Sequence, residues 1–149
     1  MRKDSHLMQH DEMIGKVQAL AQLPDRGSAE QATRAVLETL AERLPSALAD
    51  HVAAQLPPTL ATALRQVTDK PVADGNSATS GERFGLTVFT GRIAGRAATD
   101  DDTAVREAAA VLEVLDAALT PELTEKMAGA LPADIRELLP SGRSMDGTD

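Results

Sequence analysis

The chain contains no cysteine, no tryptophan and no tyrosine. The missing thiol excludes disulfides, thiolate nucleophiles, iron–sulfur clusters and cysteine-based zinc sites together. It also suits a reducing, cytoplasmic setting. Aromatic side chains make up 1% of the residues, as Phe84 and Phe89. Single-strand nucleic-acid sites stack bases on aromatic rings, and small-molecule pockets lean on them too, so both roles lose support. No apolar run approaches the roughly 20 residues that a membrane span needs. The stretch MRKDSHLMQHDEM at the N-terminus has no apolar segment of the kind a secretory signal carries. Positive charge is also in short supply. Fifteen Lys and Arg face twenty-three Asp and Glu, a formal net charge of −8. An acidic surface repels phosphate, which argues against nucleic acid and anionic membranes as partners.

What remains is globular. Hydrophobic residues are 42% and charged residues 26% of 149, the size of one ordinary domain or two small units sharing a core. Charge divides unevenly along the chain. Residues 1–70 carry 8 basic and 9 acidic side chains, net −1, whereas residues 71–149 carry 7 and 14, net −7. The second half can therefore attract a basic partner, although an acidic surface also simply aids solubility.

An internal repeat organises the rest. ATRAVLETLAERLP (32–45) resembles EAAAVLEVLDAALT (107–120) at an offset of 75, and the match runs on through Leu48, Val52, Leu56 and Pro57 onto Leu123, Met127, Leu131 and Pro132. Upstream, MIGKV (13–17) resembles FTGRI (89–93) at an offset of 76, so one loop differs by a residue. Each copy reads as helices. Leu48, Val52 and Leu56 recur at i, i+4 and i+8, and Val36, Leu37, Leu40 and Leu44 form a stripe on one face. Alanine, the best helix former, is abundant.

The punctuation agrees with that reading. Ser28 and Gln31 fit a capping box opening the second helix, and Ser46 fits a cap on the third. Pro58 suits a first-turn position, and Asp100, Asp101, Asp102 and Thr103 stand before the long helix of the second copy. Thr120, Pro121 and Glu122 supply a cap, a proline and an acid in order. LTVFT (86–90) has strand-like composition, but the repeat aligns it with the first helix.

These signals predict helices over 8–23, 28–43, 46–55, 58–68, 86–97, 102–118, 121–130 and 132–139. The expected fold is all-α, an eight-helix bundle built from two four-helix repeats with pseudo-two-fold symmetry. Its parts are repeat 1 over 8–68, a Gly- and Ser-rich linker over 69–83 and repeat 2 over 84–140, with flexible ends at 1–7 and 141–149. Each repeat alone is marginal in size, so the two are expected to share one core.

The repeated elements A-x-x-V-L-E-x-L and A-x-x-L-P, as Ala32/Ala35–Leu40 with Ala53–Pro57 and Ala108/Ala110–Leu115 with Ala128–Pro132, carry a resemblance. The chain resembles the bacterial domain of unknown function 2267 family over roughly residues 9–140. The resemblance implies an all-helical cytosolic bacterial protein and supplies no catalytic residues. The second copy departs in having Thr87 and Val88 where the first has Asp11 and Glu12. MQHDEMIGKV (8–17) already resembles a complete family start, which leaves residues 1–7 as an upstream extension or Met8, rather than Met1, as initiator.

Candidate chemistry is sparse. His6 and His10 are spaced i, i+4 and can share a metal with Asp11 or Glu12, or stand as two exposed polar residues. His51 beside Asp50 can be half of a catalytic set, but no nucleophile motif accompanies it. Asp100–Asp102 can bind a divalent cation, although the spacing lacks an EF-hand pattern and a helix start favours acids anyway. Gly81/Gly85 and Gly91/Gly95 form no phosphate cradle, and close helix packing accounts better for Gly91 and its counterpart Gly15. Glu38 and Glu113, kept in both copies, offer acid–base chemistry only where they converge. The expectation is therefore no catalytic, cofactor or metal site. The function expected is a non-catalytic interaction or regulatory module with a protein partner, or alternatively small-ligand or metal binding in the cleft between repeats. Self-association through exchange of copies is a third route.

Overall fold

The computed structural model describes residues 9–68 and 84–139. The expected linker 69–83, the ends 1–7 and 141–149, His6, Met8 and Gly81 lie outside the described residues. Those described are all-α, with eight helices: α1 (His10–Ala21), α2 (Arg26–Arg43), α3 (Ser46–Ala54), α4 (Pro58–Thr68), α5 (Leu86–Ala97), α6 (Asp101–Ala118), α7 (Pro121–Ala130) and α8 (Ala133–Arg136). LTVFT is the start of α5, because the one-face spacing of Phe89 and Ile93, both 0% exposed, outweighs local strand propensity.

Caps fix the two long helices. Asp25, not Ser28, is the N-cap of α2, and its side chain accepts a hydrogen bond from the Ser28 amide at 2.7 Å. The expected capping box is thus corrected. Ser28 already lies inside the first turn, and its own orphan N–H is the one that the aspartate three residues upstream accepts from. Asp100 caps α6 in the same way, accepting from the Thr103 amide at 2.8 Å. Ser46 is also corrected. It is the first residue of α3, behind an N-cap Pro45 that offers no side-chain bond. Thr120 does cap α7, with Pro121 in the first turn. α1 and α5 both end on a left-handed residue, Gln22 (φ 59°) and Ala98 (φ 58°). The amides of Leu23 and Thr99 then close back onto the carbonyls of Gln18 and Ala94. α8 is one turn, shorter than the 132–139 expected, because the chain passes into turns after Arg136.

The helices interlock around one core. α2 and α6 lie at its centre and touch each other; α1 packs on α2 and α6, and α5 packs on α6 and α2. α4 covers α2 and α3, α3 meets α7, and α8 meets α5. Ala32, Ala35, Ala108 and Ala110 are buried, so the small faces of α2 and α6 let their backbones approach closely. Around them Met13, Leu37, Leu40, Leu60, Leu64, Phe89, Ile93, Leu112, Leu115 and Met127 are fully buried in one contiguous cluster. No described helix is long and apolar enough to cross a membrane.

Candidate functional site

The α2–α5 seam holds the densest polar network. Arg96 forks onto Glu42, donating to Oε1 at 2.9 Å and to Oε2 at 2.5 Å, and Arg92 donates to the same Oε1 at 2.9 Å. Burial raises the Glu42 carboxyl pKa, but the hydrogen bonds and charges of Arg96 and Arg92 overcome that and hold it below its ordinary value. Arg96 also donates to the buried Thr39 hydroxyl at 2.7 Å, and Thr39 donates its own proton to the Ala35 carbonyl. The Arg92 guanidinium lies 4.2 Å over the Phe84 ring, a cation–π contact. Every acid and base in this cluster is engaged, which makes it a clamp between the two helices.

Beside the clamp runs a groove of about 380 Å³ between α2 and α4, lined by Arg34, Glu38, Pro58, Thr59, Thr62, Ala63 and Gln66. Glu38 joins the two features, since its Oε1 lies 3.7 Å from the Arg96 Nε. A smaller hollow of about 170 Å³ lies between α3 and α7 and is lined by His51, Gln55, Thr120, Glu122, Leu123 and Lys126. It lies between the two halves, and its volume falls below the roughly 300–1,000 Å³ of small-molecule sites.

The sequence candidates scatter over these surfaces. His10 Nε2 lies 3.1 Å from Glu30 Oε2, and its Nδ1 lies 3.6 Å from Asp11 Oδ1, which is itself 3.0 Å from Arg26. No group of three or more His, Asp or Glu suited to a metal occurs among the described residues. His51 and Asp50 are both exposed, and no hydrogen bond joins them. Asp100 is a cap, and its hydrogen bonds from Thr103 hold its carboxyl below the ordinary value. Glu38 and Glu113 do not converge: Glu38 lines the α2–α4 groove, whereas Glu113 is exposed on α6 and lines neither hollow. The close-packing account of Gly91 and Gly15 is corrected as well. A Cβ built on either meets nothing within 4 Å, so no helix approaches there.

Two features escaped the sequence reading. Asp134 of α8 accepts a hydrogen bond from the Leu86 amide at 3.0 Å and so caps α5 from outside. Only the folded chain brings them together across 48 residues. Glu107 is 4% exposed on α6, and its Oε1 has no hydrogen-bond partner. Burial raises its carboxyl pKa, with Arg106 opposing and Asp100 reinforcing the shift. A helical-wheel count could have found it, because it falls on the Ala104–Ala108–Val111 face. No curated protein matches the chain. Residues 10–138 match the family model described as the uncharacterized conserved protein DUF2267, and the chain belongs to that family.

Proposed function

We propose that the chain is a non-catalytic, cytosolic interaction module whose acidic second half docks a basic surface on another protein. The observation that carries this reading is how the described cations of the second half are engaged. Arg92 and Arg96 turn inward to Glu42. Arg106 donates to the Ala21 carbonyl and Arg136 to the carbonyls of Ala128 and Leu131. Lys126 reaches Glu122 only at 4.0 Å. Asp101 and Asp102 on α6, Glu125 on α7 and Glu137 just after α8 meanwhile stand exposed. Such a field accelerates encounter with a cationic partner and weakens as salt rises.

The scaffold for this module is one helical unit written twice around a pseudo-two-fold axis. Support comes from the matching pairs: α1 on α6 and α5 on α2, the caps Asp25 and Asp100, the left-handed ends Gln22 and Ala98. The loop from α1 to α2 is one residue longer than that from α5 to α6, as the change of offset requires. The second unit has diverged in charge, which gives it the docking role.

Co-purification from the native host at low and moderate salt, run beside an Asp101→Lys/Asp102→Lys/Glu125→Lys triple variant, tests the reading. The expected result is one stoichiometric basic protein, released as salt rises and absent from the triple variant. A partner indifferent to both salt and charge reversal, a chain recovered alone, or turnover of any substrate overturns it.

A further inference from the structure

Arg34 stands apart from the other arginines. A polar or charged partner engages every other described arginine, whether a carboxylate, a main-chain carbonyl or another group. Arg34 makes no hydrogen bond or ion pair among the described residues, and it lines the α2–α4 groove. Its guanidinium fork is shaped for a carboxylate. One helical turn on, Glu38 projects from the same face, with Cβ atoms about 5–6 Å apart at this spacing. Across the groove the Thr62 hydroxyl already donates to the Pro58 carbonyl at 2.9 Å, so toward the groove it can only accept. Glu38 likewise accepts, and Gln66 can do both. The lining thus offers a donor fork at one point and acceptors beside it.

We propose that this groove binds a small zwitterion of the α-amino-acid type, with its carboxylate on Arg34 and its ammonium between Glu38 and Thr62. A simple anion meets the Glu38 carboxylate, and a simple cation meets Arg34. A molecule carrying both charges a few ångströms apart satisfies both. A groove of about 380 Å³ has room for it, with Pro58 and Ala63 as the apolar floor for a side chain.

The test is amide chemical-shift mapping of the full chain. The probes are the free L-amino acids, one at a time to about 10 mM, with acetate and ethylammonium as singly charged controls. The expected result is saturable shifts on α2 and α4 for at least one amino acid, and roughly tenfold or weaker response to either control. Arg34→Gln, at an exposed position whose loss breaks no internal hydrogen bond or ion pair, lowers that affinity by about tenfold or more. Arg34→Lys, which keeps the charge without the fork, recovers part of it. No saturation by any amino acid, an equal response to acetate, or shifts unchanged in Arg34→Gln overturns the proposal.

Discussion

The α2–α5 and α1–α6 seams join helices of the same lengths, 18 residues against 12 in each, yet their long helices, α2 and α6, treat buried charge in opposite ways. Across α2–α5 a half-buried carboxylate, Glu42, meets two guanidiniums and a neighbouring hydroxyl completes the set. On α6 a buried carboxylate, Glu107, has an oxygen with no hydrogen-bond donor, although Arg106 is next in sequence and turns instead to the Ala21 carbonyl. Equivalent packing therefore does not impose equivalent electrostatics. A polar group helps a seam only where its partners also arrive, and otherwise it carries the cost of desolvation alone.

The largest effects should come from what the seams share. Phe89 is the fourth residue of α5 and Met13 the fourth of α1, and both are 0% exposed. Phe89→Ala is expected to cost about 3–5 kcal/mol and Met13→Ala about 2–5 kcal/mol in denaturant unfolding. A cost below about 1 kcal/mol at either position would detach that helix from the common core. Next comes the clamp. Glu42→Ala leaves Arg92 and Arg96 facing each other without their acceptor, and about 2 kcal/mol should be lost. A double-mutant cycle of Glu42→Ala with Arg96→Ala should show positive coupling. Additive losses would mean the bridge exists without holding the seam.

Glu107→Gln should act with the opposite sign. Burial makes the folded chain hold the Glu107 proton more tightly than the unfolded chain does. That group therefore favours folding at low pH and opposes it as pH rises past the ordinary carboxylate value of 4.5. The substituted amide cannot ionise, so the variant is expected to melt above the parent at pH 7. The gap should close as pH falls to about 4. The capping acids run the other way. Asp25 and Asp100 are held below their ordinary value of 3.8 by the amides they cap, so their contribution is present above that pH and fades below it. A Glu107→Gln melting curve parallel to the parent's at every pH would mean that the carboxylate reaches solvent.

Much of this architecture is legible in sequence because it is periodic. The α5 assignment needed only Phe89 and Ile93 on one face, and Pro58 and Pro121 marked their helix starts in advance. What stayed illegible depends on contacts between distant residues. The groove needs α4 laid across α2, and the clamp needs α5 laid against it, so nothing in the sequence alone singles out Arg34, Glu42 or Arg96. Glu38 and Glu113 look alike in the repeat, but their neighbours differ once α4 covers one helix face and the short α8 does not cover the other. The Ser28 cap was misread because Asp25 and Ser28 both satisfy the local rule, and only geometry selects between them.

The smallest expected effect sharpens the comparison between glycines that sequence treats as similar. Gly91 lies inside α5, exposed, with open space where a Cβ would stand. A helix-interior glycine surrenders more backbone entropy than alanine and returns nothing here, so Gly91→Ala should stabilise by about 0.5–1 kcal/mol. Gly85, six residues earlier, is the N-cap of α5, and a Cβ there would sit 3.0 Å from the Asp134 carboxylate oxygen that accepts from Leu86. Gly85→Ala should therefore displace Asp134 and lower the melting temperature. An Asp134→Ala background should remove that penalty, because the crowded oxygen is then gone. If Gly85→Ala destabilises equally in both backgrounds, the contact between α8 and the start of α5 is not what the glycine accommodates.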